Sequence, residues 1–328
     1  MSAMLLRNPF VLAIVAAVVS VLVIMLRLRF AGRGLDLPGH RSLHSRPTPH
    51  GGGLGIVTAT LACGLIVGAG TQWLVVILVL AMISLVDDWL DIPFWVRLLV
   101  HLACAAGLVY SLGIPAFAMA LAIMLAIAWS TNAYNFMDGA DGLAGSMAVT
   151  GFAVYACAFQ LGGYSAQAGL CAALAGSALG FLYFNWHPAR IFMGDVGSIP
   201  LGFLAGGLGW HGFVLGAWPV WFGPLVFAPF LLDASVTLIR RVARGERIWQ
   251  AHRDHYYQRM VRAGMTHAAM CRRWLLAMLF GGILALLLLM FAESMSWVVA
   301  ALWSVFLLLL GWRIDEQWIR HCRTGSLQ

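Results

Sequence analysis

The run PFVLAIVAAVVSVLVIML, residues 9–26, decides the class of this chain. It holds no charged side chain over a length that matches a bilayer crossing, which takes roughly 17 to 25 apolar residues. Only Arg7 precedes it, whereas Arg27, Arg29 and Arg33 follow. A cleaved secretory signal carries its positive charge ahead of the apolar stretch. Here the charge lies behind, which predicts a segment that stays in the bilayer with the N-terminus outside.

Working outward from that run, apolar stretches of similar length predict crossings near 9–27, 53–70, 71–86, 94–112, 114–131, 146–162, 166–184, 198–214, 218–238, 273–291 and 296–312. The expected fold is therefore an all-α polytopic membrane protein of eleven spans. The third and fifth are predicted to be short, and Pro224 and Pro229 to kink or break the ninth. No repeat, low-complexity linker or second domain interrupts the pattern, so residues 1–328 read as one integral-membrane domain.

Composition agrees: 62% of residues are hydrophobic, 10% are charged and mean hydropathy is +0.87, where a soluble domain carries about 25% charged residues. The net charge of +7 comes from arginine alone among the strong bases. Cationic cytoplasmic loops explain it without nucleic acid as a partner. Cys63, Cys104, Cys157, Cys171, Cys271 and Cys322 have no paired spacing and mostly lie in apolar runs, as small packing residues do.

From an outside N-terminus, eleven crossings put the C-terminus inside, with inside loops near 28–52, 87–93, 132–145, 185–197 and 239–272. Every arginine except Arg7 then falls on or near the inside face, as the positive-inside bias requires. So does every acidic residue except Glu293, which that bias does not require. The polar chemistry is expected to share one membrane face.

Four stretches on that face stand out. The first, from Asn132 to Gly145, places Asn132, Asn135, Asp138 and Asp141 three residues apart in otherwise apolar sequence. Steps of three drift by about 60° on a helix, so the four cannot stay on one narrow stripe. Gly139 and Gly142 point to a helix end opening into a turn that could converge four oxygen-bearing side chains. A water-exposed turn rich in Asn, Asp and Gly is the structural alternative. The second, Asp87-Asp88, closes the third predicted span, where the helix C-terminus repels anions. Carboxylates there suit a hard cation such as Mg²⁺, which binds through one or two of them plus substrate phosphates.

The third, Met193-Gly-Asp195-x-Gly-Ser198, puts an acid at the start of the eighth span, where a simple helix cap is the competing explanation. The fourth, His252-x-x-His255-x-Tyr-Gln-Arg259, predicts two histidines on one helical face with Arg259 a turn beyond. It lacks further zinc ligands and suits an anionic substrate better. Upstream, His40, Arg41, His44, Arg46 and the glycines 51–53 could receive a phosphate on side chains and free backbone N–H groups. A basic segment against anionic lipid headgroups explains them as well. Together the stretches suit phosphoryl transfer between a soluble nucleotide and a lipid, chemistry that rests on positioning and charge neutralisation.

These four blocks, in this order, resemble the polyprenyl-phosphate N-acetylhexosamine-1-phosphate transferases of glycosyltransferase family 4, and Pro47-x-Pro-x-Gly-Gly-Gly53 resembles that family's first cytoplasmic loop. The resemblance implies transfer of a sugar-1-phosphate from a UDP-sugar to undecaprenyl phosphate, with release of UMP, at the cytoplasmic face of a bacterial inner membrane. It implies Mg²⁺, with Mn²⁺ as a substitute, and an Asp of the Asp87-Asp88 pair at the lipid phosphate as base or nucleophile. Asp195, with Asp88, would hold the metal. Asn132, Asn135, Asp138 and Asp141 would position nucleotide and diphosphate. His252, His255 and Arg259 would hold phosphate or sugar, with His44 and Arg46 contributing from the first loop. Both a monomer and a homodimer fit.

The last loop looks closest to initiators of O-antigen and other surface polysaccharides that accept modified sugars such as UDP-N-acetylfucosamine. It does not match the triple-histidine loop of the peptidoglycan enzyme, and Asp91 stands where that enzyme has a basic residue. Two other readings remain. Asp87-Asp88-x-x-Asp91 would suit an intramembrane prenyltransferase, which leaves Gly194-Asp195-x-Gly-Ser198 unexplained. A transporter would place ionisable groups near the bilayer midplane, where Arg97, His101 and Asp233 are the main candidates.

Overall fold

The computed structural model describes residues 7–30, 34–38, 43, 46–90, 92–247, 250, 252–291 and 295–325. The described chain is helical, apart from a two-stranded antiparallel pairing of β1 (Leu35–Asp36) with β2 (Thr48–Pro49) in the first polar loop. The helices are α1 (Pro9–Arg29), α2 (Gly53–Val67), α3 (Thr71–Leu90), α4 (Phe94–Ser111), α5 (Phe117–Phe136), α6 (Leu143–Leu161) and α7 (Ser165–Asn185). There follow α8 (Asp195–Val214), α9 (Phe222–Val226), α10 (Ala228–Ala243), α11 (Tyr256–Arg262), α12 (His267–Phe291) and α13 (Ser296–Gly325).

Eight of them, α1, α3 to α7, α12 and α13, are long and apolar enough to cross a membrane. Helices also occupy the other three predicted stretches: α2, which is apolar but 15 residues long, α8, and the pair α9–α10. The chain breaks between α9 and α10 at Phe227, next to Pro229 in the first turn of α10, as the prolines lead one to expect.

Two spans expected to be short are not. Helices α3 and α5 have 20 residues each because their helical backbone continues through the polar ends, past Asp87-Asp88 and past Asn132 and Asn135. Polar side chains do not end a helix if each finds a partner, and these do, as described below.

The core is organised around α7, against which α1, α2 and α6 pack, while α5 lies along α8. Small residues let these helices meet backbone to backbone, the usual means of association where the hydrophobic effect between helices is weak. At Gly176 a Cβ would stand 2.0 Å from the Ala13 carbonyl oxygen, so only glycine fits under α1. Two hydrogen bonds add to this seam packing, Ser130 Oγ to the Gly202 carbonyl at 2.9 Å and the Thr60–Ser177 hydroxyl pair at 3.3 Å. Gly176→Leu is expected to force α1 off α7 and lower stability by about 2 kcal/mol, seen as a reduced unfolding midpoint in detergent. An unchanged midpoint would contradict this packing.

Candidate active site

The polar ends of α3, α5 and α7, the start of α8 and the segments before α11 and α12 enclose a cavity of about 700 Å³. Asp87, Asp88, Asn135, Asp138, Asp141 and Asp195 all line it. The four sequence blocks thus converge, since His252 and Gln258 line the same cavity. A second cavity of about 590 Å³ runs beside it between α4, α5 and α10, walled by Leu98, Leu102, Leu125, Trp129, Ile199 and Leu238. Both are bordered by Arg97, Asn135, Asp195, His252 and Gln258.

Asp195 is the junction. It opens α8, where the helix N-terminus favours an anion, and its Oδ1 accepts from Asn135 Nδ2 at 2.9 Å. The same amide nitrogen donates to Ser198 Oγ at 2.9 Å. Arg97 reaches Asp195 Oδ2 at 3.3 Å and also binds Asp87 Oδ2, so one guanidinium bridges two of the blocks. Asp87 Oδ1 accepts the Ile92 N–H at 2.8 Å. Those contacts satisfy Asp87 and leave Asp88, two-thirds shielded, facing the cavity with His50 Nδ1 at 3.9 Å from its Oδ2. Asp138 sits in the turn after α5, where burial and then the Asp195 carboxylate push it well above the usual carboxylate range, while a hydrogen bond from the Gly194 N–H opposes them. Asn132 lines the apolar cavity and donates Nδ2 to its own helix at the Ala128 carbonyl, 2.7 Å away.

Asp141 has a different setting. It is buried, and its Oδ2 accepts from His187 Nδ1 at 2.7 Å and from the Ala189 N–H at 3.1 Å, with His267 Nδ1 3.9 Å from Oδ1. The two imidazoles stack at 5.4 Å. Their ligand-type atoms lie close enough together to be considered for a metal. Asp141 Oδ2 is already supplied by two donors, so the triplet reads as a clasp joining the α5–α6 turn to the segment after α7 and to α12.

Three expectations are corrected. Two of the glycines of 51–53 do not leave their N–H groups open for phosphate: Gly52 N–H and Gly53 N–H bind the Phe192 and Met193 carbonyls at 2.9 and 3.0 Å, and Phe192 N–H binds the Pro49 carbonyl at 2.8 Å. A Cβ on Gly53 would fall 2.4 Å from Gly197 Cα, so this glycine serves a close approach to α8. His252 and His255 do not share a helical face. Residue 255 has extended backbone and α11 starts only at Tyr256, although the two rings still meet at 5.0 Å. Burial, followed by His255 and Arg241, pushes His252 down to about 4, so it is neutral at physiological pH.

Arg259, the third, points away from both cavities and pairs with Asp315 of α13, which Arg240 also binds. Arg259→Met is therefore expected to cost about 2 kcal/mol of stability, because a largely buried carboxylate loses one of two cations. Turnover of the folded fraction should stay within about threefold, as nothing in the cavities is touched. Arg46 is exposed and lines neither cavity. His44 and Asp91 lie outside the described residues.

Residues 71–212 match the profile of glycosyl transferase family 4. The chain is 26% identical over 327 residues to a probable undecaprenyl-phosphate N-acetylglucosaminyl 1-phosphate transferase of Bacillus subtilis (strain 168), covering 90% of this chain and 89% of the relative. Identity to a decaprenyl-phosphate N-acetylglucosaminephosphotransferase of Mycolicibacterium smegmatis is 29% over 318 residues, or 80% of this chain and 75% of the other. A phospho-N-acetylmuramoyl-pentapeptide-transferase of Heliobacterium modesticaldum is 34% identical over 194 residues, half of this chain and 60% of that protein. The matched segment holds Asp87, Arg97, Asn135, Asp138, Asp141 and Asp195, so the likeness to glycosyl transferase family 4 falls on the residues that join the two cavities or wall the polar one.

Proposed function

We propose that this multi-pass membrane protein transfers a sugar-1-phosphate from a UDP-sugar to undecaprenyl phosphate, giving undecaprenyl-diphospho-sugar and UMP. One observation carries the reading: a polar cavity rich in carboxylates and an apolar cavity open onto a shared border that includes Arg97, Asn135 and Asp195. A nucleotide sugar suits the first and a prenyl chain the second, so their phosphates meet at that border. The named activities of the relatives support the same assignment. The sugar is an N-acetylated hexosamine or 6-deoxyhexosamine, the reaction takes place at the cytoplasmic face of the inner membrane, and the product starts O-antigen or another surface polysaccharide.

Asp87, Asp88, Asp138 and Asp195 face one another with Arg97 as the guanidinium among them. This all-oxygen donor set fits a hard divalent cation, which Asp195 and Asp88 would hold. When bound, Mg²⁺ supplies charge neutralisation to the diphosphate. The remaining work falls to the chain. Arg97 receives the lipid phosphate at the mouth of the apolar cavity, Asn135 and Asp138 position the nucleotide diphosphate, and an Asp of the Asp87-Asp88 pair takes a proton from the attacking phosphate. The apolar wall excludes water, which would otherwise compete as acceptor.

The test is incubation of purified protein with undecaprenyl phosphate, Mg²⁺ and a panel of UDP-sugars, following UMP. Removing divalent cations with EDTA is expected to reduce UMP release to background, with recovery on adding Mg²⁺. Pyrophosphate release from a prenyl diphosphate, with no UMP from any UDP-sugar, would favour the prenyltransferase reading instead.

A further inference from the structure

We infer that Asp233 is a positioning residue for the transfer reaction: it fixes His255 with its proton on Nδ1, so that Nε2 faces the cavity as a hydrogen-bond acceptor for a hydroxyl-bearing group of the substrate. Asp233 lies in α10, in the half of the broken ninth span nearest the polar face, and its carboxylate is 0% exposed. A carboxylate so buried must find donors for all its oxygens. It finds four: Thr237 Oγ1 at 3.1 Å, His255 Nδ1 at 3.1 Å, Tyr256 N–H at 3.0 Å and Tyr257 N–H at 3.3 Å.

The two backbone contacts anchor the start of α11, and the contact to His255 Nδ1 does more. An ionised carboxylate is acceptor-only, so the nitrogen facing it carries the hydrogen, and a neutral imidazole then presents a lone pair at Nε2. His255 is itself 97% shielded yet lines the cavity that Asn132, Asn135 and Asp195 share. The ring packs against Phe136 at 6.1 Å and Tyr257 at 5.9 Å, both stacked, and His255 N–H is tied to Gln258 Oε1 at 3.2 Å. Neither ring tilt nor backbone is free to alter which nitrogen faces the substrate.

Thr237 Oγ1, His255 Nδ1 and Tyr256 N–H all meet Oδ1, whereas Tyr257 N–H meets Oδ2, so the single oxygen of an asparagine keeps one set of contacts and loses the other. An asparagine that keeps Tyr257 turns its NH₂ toward Nδ1, which moves the imidazole proton to Nε2 and makes the acceptor a donor, whereas one that keeps Tyr256 leaves the proton on Nδ1. In an Asp233→Asn enzyme whose His255 ¹⁵N spectrum shows the proton on Nε2, kcat is expected to fall about 10²-fold with KM for the UDP-sugar within about twofold, as misassigned tautomers do in other carboxylate–histidine pairs. Combined with His255→Ala it should do no further harm, because the two residues act as one unit. A folded Asp233→Asn enzyme with the His255 proton on Nε2 and kcat within threefold of the parent, or additive losses in the double variant, would overturn the inference.

Should Asp233→Asn fail to fold, the unmutated protein still decides. In full-length chain with ¹⁵N-labelled histidine in nanodiscs at neutral pH, His255 is expected to show the proton on Nδ1, and a proton on Nε2 would refute the inference. The kinetic arm rests on the transferase reading and fails with it if no UDP-sugar yields UMP. The NMR arm does not depend on that reading, so the two failures are distinguishable.

Discussion

Asp195→Asn abolishes UMP release, by at least about a thousandfold, while the protein remains folded; this is the largest effect expected of any single substitution here. The change is isosteric, and the amide oxygen can still accept from Asn135 at the Oδ1 position, although the contact from Arg97 to Oδ2 is lost. What disappears is the negative charge at the N-terminus of α8, on the border of both cavities. A divalent cation held by oxygen donors loses most of its binding when a carboxylate becomes an amide, and no neighbour compensates: Asp138 is held toward its neutral form, and Asp87 is committed to Arg97. Asp88→Asn should be as severe because its carboxylate faces the cavity, and Asp87→Asn likewise, because it releases Arg97. UMP formation and the unfolding midpoint, measured together, separate lost chemistry from lost fold. Full activity in all three variants would end the site assignment.

Arg97→Met lowers kcat/KM for undecaprenyl phosphate by about a hundredfold and leaves KM for the UDP-sugar much less affected. Methionine keeps the aliphatic contacts along the apolar wall but withdraws the cation that bridges Asp87 and Asp195. The effect is asymmetric because Arg97 stands at the mouth of the apolar cavity, whereas the polar cavity has His50 and Asp138, which the apolar one lacks, for the nucleotide side. Arg97→Lys should recover only part of the loss, since an ammonium cannot make both ends of a forked contact. Varying the lipid in mixed micelles at saturating UDP-sugar, then the reverse, measures the difference directly. Equal losses on both substrates would place Arg97 elsewhere in the reaction.

Much of this site was readable before the fold was known, for a physical reason. Carboxylates and amides beside a bilayer are costly enough that Asp87, Asp88, Asn135, Asp138 and Asp195 stand out against an apolar background. The spans were visible for the same reason. Pairings between distant helices were not: Arg97 bridging Asp87 and Asp195, Asp141 held by His187 and His267, and Arg259 turned toward Asp315 all depend on how helices cross, which no spacing along the chain encodes. The expectation of a helical His-x-x-His face failed because Asp233 caps α11 from another helix and starts it one residue after His255. A partial signal was present in Gln258, three residues beyond His255, the position from which a side chain reaches back to a helix start.

The ladder that joins Pro49, Gly52 and Gly53 to Phe192 and Met193 makes two loops far apart in sequence into a single mechanical part. Any push on one is delivered to the other, and Asp195 is two residues beyond the last rung. A genetic screen for inactive alleles should accordingly recover Gly53 changes alongside those at the acidic cluster. Such alleles would fail because a wedge at residue 53 prises α8 out of alignment, with no substrate contact removed.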